Sequence, residues 1–282
     1  KALRGAEIGM DSLNKAPDDD APLRERLQRV DDHRLFTVFE ALKAGVSVEE
    51  IHAVTGIDPF FIHKFQNLAV FEMGLAGDLT AEAYEEGKRL GYTDEALLRL
   101  SGTKALPCAP KEAVYRMVDT CAAEFDAETP YFYSTFDAFC ESRTFPRSGK
   151  PVILVLGSGP IRIGQGIEFD YSSVRCVHTL KELGYEAVIV NNNPETVSPD
   201  YDTADRLYFE PLTPEDVMHI VAAEKPVGVV VAFGGQTAIR LAKFLDAAGV
   251  NILGTSAKSI DLAEDREQFD ALLERFSIRR PK

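Results

Sequence analysis

The chain lacks any pair of cysteines at metal or redox spacing. Its four cysteines, Cys108, Cys121, Cys140 and Cys176, stand far apart. No C-x-x-C motif exists, which excludes a zinc knuckle or a dithiol centre of that type. The five histidines, His33, His52, His63, His178 and His219, form no H-E-x-x-H and have no cysteine pair beside them, so no metal site is expected. No apolar run is long enough to cross a bilayer and no secretory leader is recognisable, so with its dispersed thiols the chain reads as a cytoplasmic protein that does not enter a membrane. Positive charge is scarce too: 31 Lys and Arg against 45 Asp and Glu give a net charge of -14, a deficit carried by both halves. Arg24, Arg26, Arg29 and Arg34 alternate with Glu25, Asp31 and Asp32. That is a solvated helix face, not a stripe for polyanions, and nucleic acid is not an expected partner.

Two phosphate-binding fingerprints are also missing. No G-x-x-x-x-G-K-S/T occurs. Gly157-x-Gly159 follows the apolar run Val152-Ile153-Leu154-Val155 as a dinucleotide loop would, but the third glycine of G-x-G-x-x-G falls on Arg162. The next apolar run, Ala187-Val188-Ile189-Val190, ends in Asn191-Asn192-Asn193 where a ribose-binding acid would stand. A nicotinamide cofactor thereby loses two of its supports.

What is present divides in two. Residues 1–148 read as a helical domain. Leu27, Val30, Leu35, Val38, Phe39 and Leu42 recur at helical spacing up to Gly45, and Ser47 with Glu50 makes a capping box. Asp58-Pro59 starts an apolar helix carrying Phe60, Phe61, Phe65 and Phe71, aromatic residues that suit either a bundle core or a subunit interface. Thr80 and Thr93 cap two further helices that end at Gly91 and Gly102. Cys121 has apolar neighbours and no nearby histidine, and reads as structural. Residues 149–282 alternate strands near 152–156, 186–190, 206–209, 228–233 and 251–253 with helices near 171–184, 214–224, 236–248 and 265–276. Continuous apolar strands such as Val229-Val230-Val231 predict a doubly wound, mostly parallel, Rossmann-like sheet.

Ligands of such sheets gather at the carboxyl ends of the strands. Three polar loops fall there: the glycine loop with Gly157, Gly159, Arg162, Gly164, Gln165 and Gly166; the loop with Asn193 and Glu195; and Gly234-Gly235-Gln236-Thr237. The glycine loop also delivers Glu168 and Asp170 to a helix start. Arg162 either contacts an anion or pairs with Glu168 or Asp170.

The strings LGSGPIRIGQGIEFDY at 156–171, NNNPETVSPDYDTADRLYFEPLTPEDV at 191–217 and AFGGQTAIRLA at 232–242 closely resemble the large subunit of carbamoyl phosphate synthetase. So do VDTCAAEF at 118–125 and Tyr131-Phe132-Tyr133-Ser134-Thr135-Phe136. Gly164-Gln165-Gly166 resembles the second of that subunit's two homologous halves. The resemblance implies an oligomerisation domain followed by a pre-ATP-grasp domain. It also implies a parent ligase that makes carbamoyl phosphate, for arginine and pyrimidine biosynthesis, from bicarbonate, glutamine-derived ammonia and two ATP. Its partners would be a glutamine amidotransferase small subunit and further large subunits. Gly166, Glu168 and Glu195 would line a carbamate passage, with Glu168 as a plain helix cap and Glu195 in a solvated turn as the alternative. Residues 103–113 depart from the family as a shorter connection. ATP and Mg or Mn belong to the complete enzyme, and no catalytic residue and no cofactor are expected within this chain. The opening on Lys1 and the close on Pro281-Lys282 read as an excised piece. Two further readings stay open: an independent nucleotide- or dinucleotide-binding enzyme, and a helical module that assembles subunits.

Overall fold

The computed structural model describes residues 1–6, 8–17, 20–75, 77–126, 128–160 and 168–280. Packing divides the chain into two units. One holds Lys1 and Gly9–Lys111, the other Ala2–Ile8 and Glu112–Lys282. The chain therefore leaves the second unit at Ile8 and returns to it at Glu112, with the first unit inserted between.

The first unit is helical, over Leu23–Gln28, Arg34–Lys43, Val48–Thr55, Pro59–Gly74, Ala81–Arg89 and Asp94–Ser101. Four of these starts are made by the side chains the sequence singles out. The Ser47 hydroxyl accepts the Glu50 N–H at 3.1 Å, the Asp58 carboxylate that of Phe60 at 2.8 Å, and the Thr80 and Thr93 hydroxyls those of Ala83 and Ala96 at 3.1 and 3.2 Å. Each satisfies a donor that the first turn leaves without a helical partner. The continuous helix expected through Leu27 to Leu42 is broken at residues 29–33. Arg29 turns to extended backbone, the Asp31 carboxylate accepts the His33 N–H at 3.0 Å in a local turn before the next helix, and Val30 is left 83% exposed. Leu75, Leu79, Tyr84, Tyr92, Ala96 and Leu97 form a core, against which Phe71 packs with its ring 5.4 Å from that of Tyr92. Phe60 and Phe61 point outward, so the aromatic helix serves both a core and a surface.

The second unit is built on seven strands: β1 Val114–Met117, β2 Tyr131–Thr135, β3 Val152–Leu156, β4 Glu186–Val190, β5 Arg206–Tyr208, β6 Gly228–Val230 and β7 Ile252–Leu253. Their order is β1-β2-β5-β4-β3-β6-β7, and only the β1–β2 pairing is antiparallel. Every second residue of β3 to β5, namely Leu154, Leu156, Val188, Val190 and Tyr208, faces a layer containing Val217, Ile220, Ala238, Leu241 and Leu245. The alternate residues, Ile153, Val155, Ala187, Ile189 and Leu207, pack with Val177 of the helix Glu168–Glu182. Helices thus cover both faces, which is why these strands are apolar without alternation.

Two expectations change. Residues 112–148, placed with the helices by the 148/149 boundary, supply β1 and β2 to the sheet. Their aromatic and β-branched residues favour extended backbone, and Tyr115 and Phe132 are fully buried in the sheet's core. The single helix expected over 236–248 is two short helices, Gly235–Ile239 and Ala242–Ala247, and Ala257–Glu264 is a further helix the periodicity did not single out. No helix among the described residues is long and apolar enough to cross a membrane.

Candidate functional site at the sheet edge

From β3 the chain winds through β4 to β5 on one side, then crosses to β6 on the other. The switch point of this doubly wound sheet therefore lies between β3 and β6, where such folds offer a crevice to ligands. The loops after β3 and β6 flank it, and the loop after β4 lies next to the first of them.

These loops interlock through backbone. A Cβ on Gly157 would lie 2.8–3.0 Å from the Cγ, Cβ and Nδ2 of Asn191, closer than real side chains approach. A Cβ on Gly234 would lie 2.5 Å from the carbonyl oxygens of both Leu156 and Gly157. The glycines at 157 and 234 are there because the end of β3, Asn191 and the loop after β6 meet too closely for side chains. The Gly157 N–H donates to the Val190 carbonyl at 2.8 Å and the Asn191 N–H to that of Tyr208 at 3.1 Å, which prolongs the ladder past the strand ends.

Asn191 is completely buried. Its Oδ1 accepts the N–H groups of Gly159 and Asn193, both at 3.2 Å, and its Nδ2 donates to the Ser198 hydroxyl at 2.9 Å. The Ser198 N–H donates to Asp170 Oδ2 at 2.9 Å, while Asp170 Oδ1 is buried without a hydrogen-bond partner. Among the sequence candidates, Asn193 Oδ1 accepts the Glu195 N–H at 3.0 Å, a local turn that leaves Glu195 exposed. Glu168 is exposed in the first turn of Glu168–Glu182. Gly234 and Gly235 are buried, Gln236 is exposed and Thr237 half-buried. Arg162, Gly164, Gln165 and Gly166 lie outside the described residues. Sequence reading named Asn191 only as a missing acid and left Ser198 without a role. The signal was available, since an asparagine ending a buried strand must find partners for its amide. The segment Ala2–Ile8 also meets this edge: the Asn192 amide donates to the Gly5 carbonyl, and Arg4 pairs with Asp216 at 2.8 Å, both side chains nearly buried.

At the opposite end of the strands lies the strongest charge cluster. Arg206 donates from Nε and Nη2 to Glu224 at 3.1 and 2.7 Å and from Nη1 to Glu186. Arg147 reaches Glu224 at 2.9 Å, and the Tyr208 hydroxyl donates to the same carboxylate. Burial pushes the Glu224 carboxyl up, but Arg206 outweighs it and holds it below its ordinary value. This cluster is saturated with internal partners and far from the loop edge along the strands. Among the described residues no group of three or more His, Cys, Asp or Glu is placed to hold a metal ion. Cys121 lies in a turn, where its N–H donates to Asp119 at 2.8 Å.

Fold and edge together define a class: a doubly wound α/β scaffold whose described switch-point loops pack on one another, with a helical unit inserted in the chain between Ile8 and Glu112. Residues 1–116 match the family model of the carbamoyl-phosphate synthetase large chain, oligomerisation domain, and residues 149–262 that of the carbamoyl phosphate synthase preATP-grasp domain. The carbamoyl phosphate synthase large chain of Lachnoclostridium phytofermentans is 49% identical over 100% of this chain and 27% of its own length. That of Methanothermobacter thermautotrophicus is 49% identical over 99% of this chain and 26% of its own. The chain belongs to the carbamoyl phosphate synthetase large-chain family, and it spans about a quarter of the length of the curated relatives it matches.

Proposed function

We propose that the chain is the helical oligomerisation domain and the Rossmann-like pre-ATP-grasp domain of the second half of a carbamoyl phosphate synthetase large subunit, acting as scaffold and passage wall. The whole enzyme would be a cytoplasmic ligase that makes carbamoyl phosphate from bicarbonate, glutamine-derived ammonia and two ATP. The ATP, with Mg or Mn, would be held by residues outside this chain. The observation that carries this reading is the tight packing at the switch point of Asn191 against Gly157 and of Gly234 against the end of β3. Loops packed this closely on one another suit a wall that bounds a space.

Carbamate decomposes in water, so a synthetase that forms it at one site and phosphorylates it at another gains from an enclosed route. Gly166 would leave room at the wall, and the exposed Glu168 and Glu195 would present proton-accepting groups along it. Partners would be a glutamine amidotransferase small subunit and other large subunits. The latter would meet the helical unit, where Phe60 and Phe61, 59% and 56% exposed and edge to face at 5.4 Å, offer an apolar contact. Two measurements test the reading. The purified chain should form no carbamoyl phosphate from ATP, bicarbonate and ammonia, and measurable formation would refute it. In the complete enzyme, Gly166→Trp should leave glutamine hydrolysis and bicarbonate-dependent ATP cleavage running while product formation drops. Unchanged product yield would remove the passage.

A further inference from the structure

We infer that Asn191 is a positioning residue: its buried carboxamide latches the glycine loop to the loop of residues 193–198 and so fixes the backbone at Glu195. The role in product formation rests on the passage reading above, whereas the latch itself rests on geometry alone. One carboxamide serves three groups. Its oxygen accepts backbone donors from both loops, Gly159 and Asn193, and its nitrogen donates to the Ser198 hydroxyl at the far end of the second loop. The relay continues through the Asn193 side chain, which accepts the Glu195 N–H at 3.0 Å. A chain of hydrogen bonds thus runs from Gly159 to Glu195 through two asparagines.

Sterics hold the latch in one orientation. Asn191 Cβ, Cγ and Nδ2 occupy the space a Gly157 side chain would need, so the amide is wedged against β3's end. From the helix Glu168–Glu182, Asp170 Oδ2 holds the Ser198 N–H, so Ser198 is gripped on both its backbone and its hydroxyl. Ser198 is itself fully buried and Asp170 nearly so, hence water does not replace these bonds without opening the edge. An aspartate at 191 would keep an acceptor for the two N–H groups. A leucine of similar volume would strand both donors and the hydroxyl.

The test has two arms. In this chain, Asn191→Leu should accelerate amide hydrogen exchange at Gly159, Asn193 and Ser198 at least tenfold while Leu154 and Val188 stay protected, and Asn191→Asp should restore protection at Gly159 and Asn193. Unchanged exchange at those three amides overturns the latch, whatever the enzyme does. In the complete synthetase, Asn191→Leu should lower the carbamoyl phosphate formed per ATP cleaved several-fold, with bicarbonate-dependent ATP cleavage near the parent rate. An unchanged product-to-ATP ratio overturns the positioning role, whereas failure of the passage reading shows separately in Gly166→Trp. Should the leucine variant not fold, Ser198→Ala, which removes only the hydroxyl that anchors the Asn191 nitrogen, should still raise exchange at Gly159 and Asn193, and full protection there overturns the latch.

Discussion

Replacing Arg206 by methionine removes the cation at the centre of a cluster that water does not reach. Arg206 and Glu224 have fully buried side chains and Glu186 is 5% exposed. Breaking a buried pair by deleting one partner costs about 3–5 kcal/mol, because a charge is left in a low-dielectric interior without compensation. Here Glu224 would keep Arg147, one third exposed, and the Tyr208 hydroxyl, whereas Glu186 would keep only the Ser148 hydroxyl at 3.3 Å. The partial compensation places the expected loss near the lower bound, about 3 kcal/mol. For a unit of this size that is a fall in Tm of roughly 6–12 °C. Urea unfolding followed by far-UV circular dichroism measures it, with the near-UV tyrosine signal as a local reporter, since the Tyr115 and Tyr208 rings meet edge to face at 4.7 Å. The double variant Arg206→Met, Glu186→Leu removes the cation together with the carboxylate it would strand, and should be more stable than Arg206→Met alone. A single variant within about 1 kcal/mol of the parent, or a double variant as unstable as the sum of the two singles, would refute the assignment of buried charge as the source of the loss.

Four further outcomes are expected. Gly157→Ala must displace Asn191 and should cost about 1–3 kcal/mol by overpacking, read as a lower urea midpoint at unchanged slope. Ser47→Ala should destabilise the helical unit by about 1 kcal/mol through loss of the Glu50 N–H acceptor, with exchange rising first at residues of Val48–Thr55. On the acid side, the native state holds Glu224 ionised below its ordinary value of 4.5, so the unfolded chain takes up that proton first. This contribution is complete above about pH 4.5 and is lost as pH falls through the native value; Glu224→Gln should flatten that part of a stability–pH profile. On the alkaline side, burial holds Tyr115 and Tyr208 protonated well above 10, so stability should fall as pH rises past 10.

Legibility from sequence followed the range of the interactions. The caps at Ser47, Asp58, Thr80 and Thr93 are decided within three residues, and each side chain makes the bond its position implies. The core strands β3, β4 and β6 are decided by their apolar runs, and the helix Pro214–Glu224 occupies the expected residues. The strands β1 and β2 were hidden because Val114–Met117 and Tyr131–Thr135 have half-buried patterns that only a partner strand converts into structure. The break at residues 29–33 was hidden because the apolar period runs on across it. At the site, the glycines were visible but their reason was not. Gly157 is small on account of Asn191, 34 residues further along, and spacing carries no trace of such a contact. The Asn191 to Ser198 bond was in reach of sequence spacing, but an asparagine read as an absent acid drew attention from what its amide does.

The ion pair between Arg4 and Asp216 joins residues separated by 212 positions. A ribosome adding about 5–20 residues per second makes Arg4 roughly 10–40 s before Asp216 exists. During that interval the helical insert has all of its own residues, including the four caps, and can settle while Ala2–Ile8 waits for the sheet edge it will join. The segment Ala2–Ile8 is thus made before the insert and seated after it, a clasp fastened when the 191–198 loop and the start of Pro214–Glu224 have formed. Order of birth and order of assembly run in opposite directions at the very place where the loops interlock.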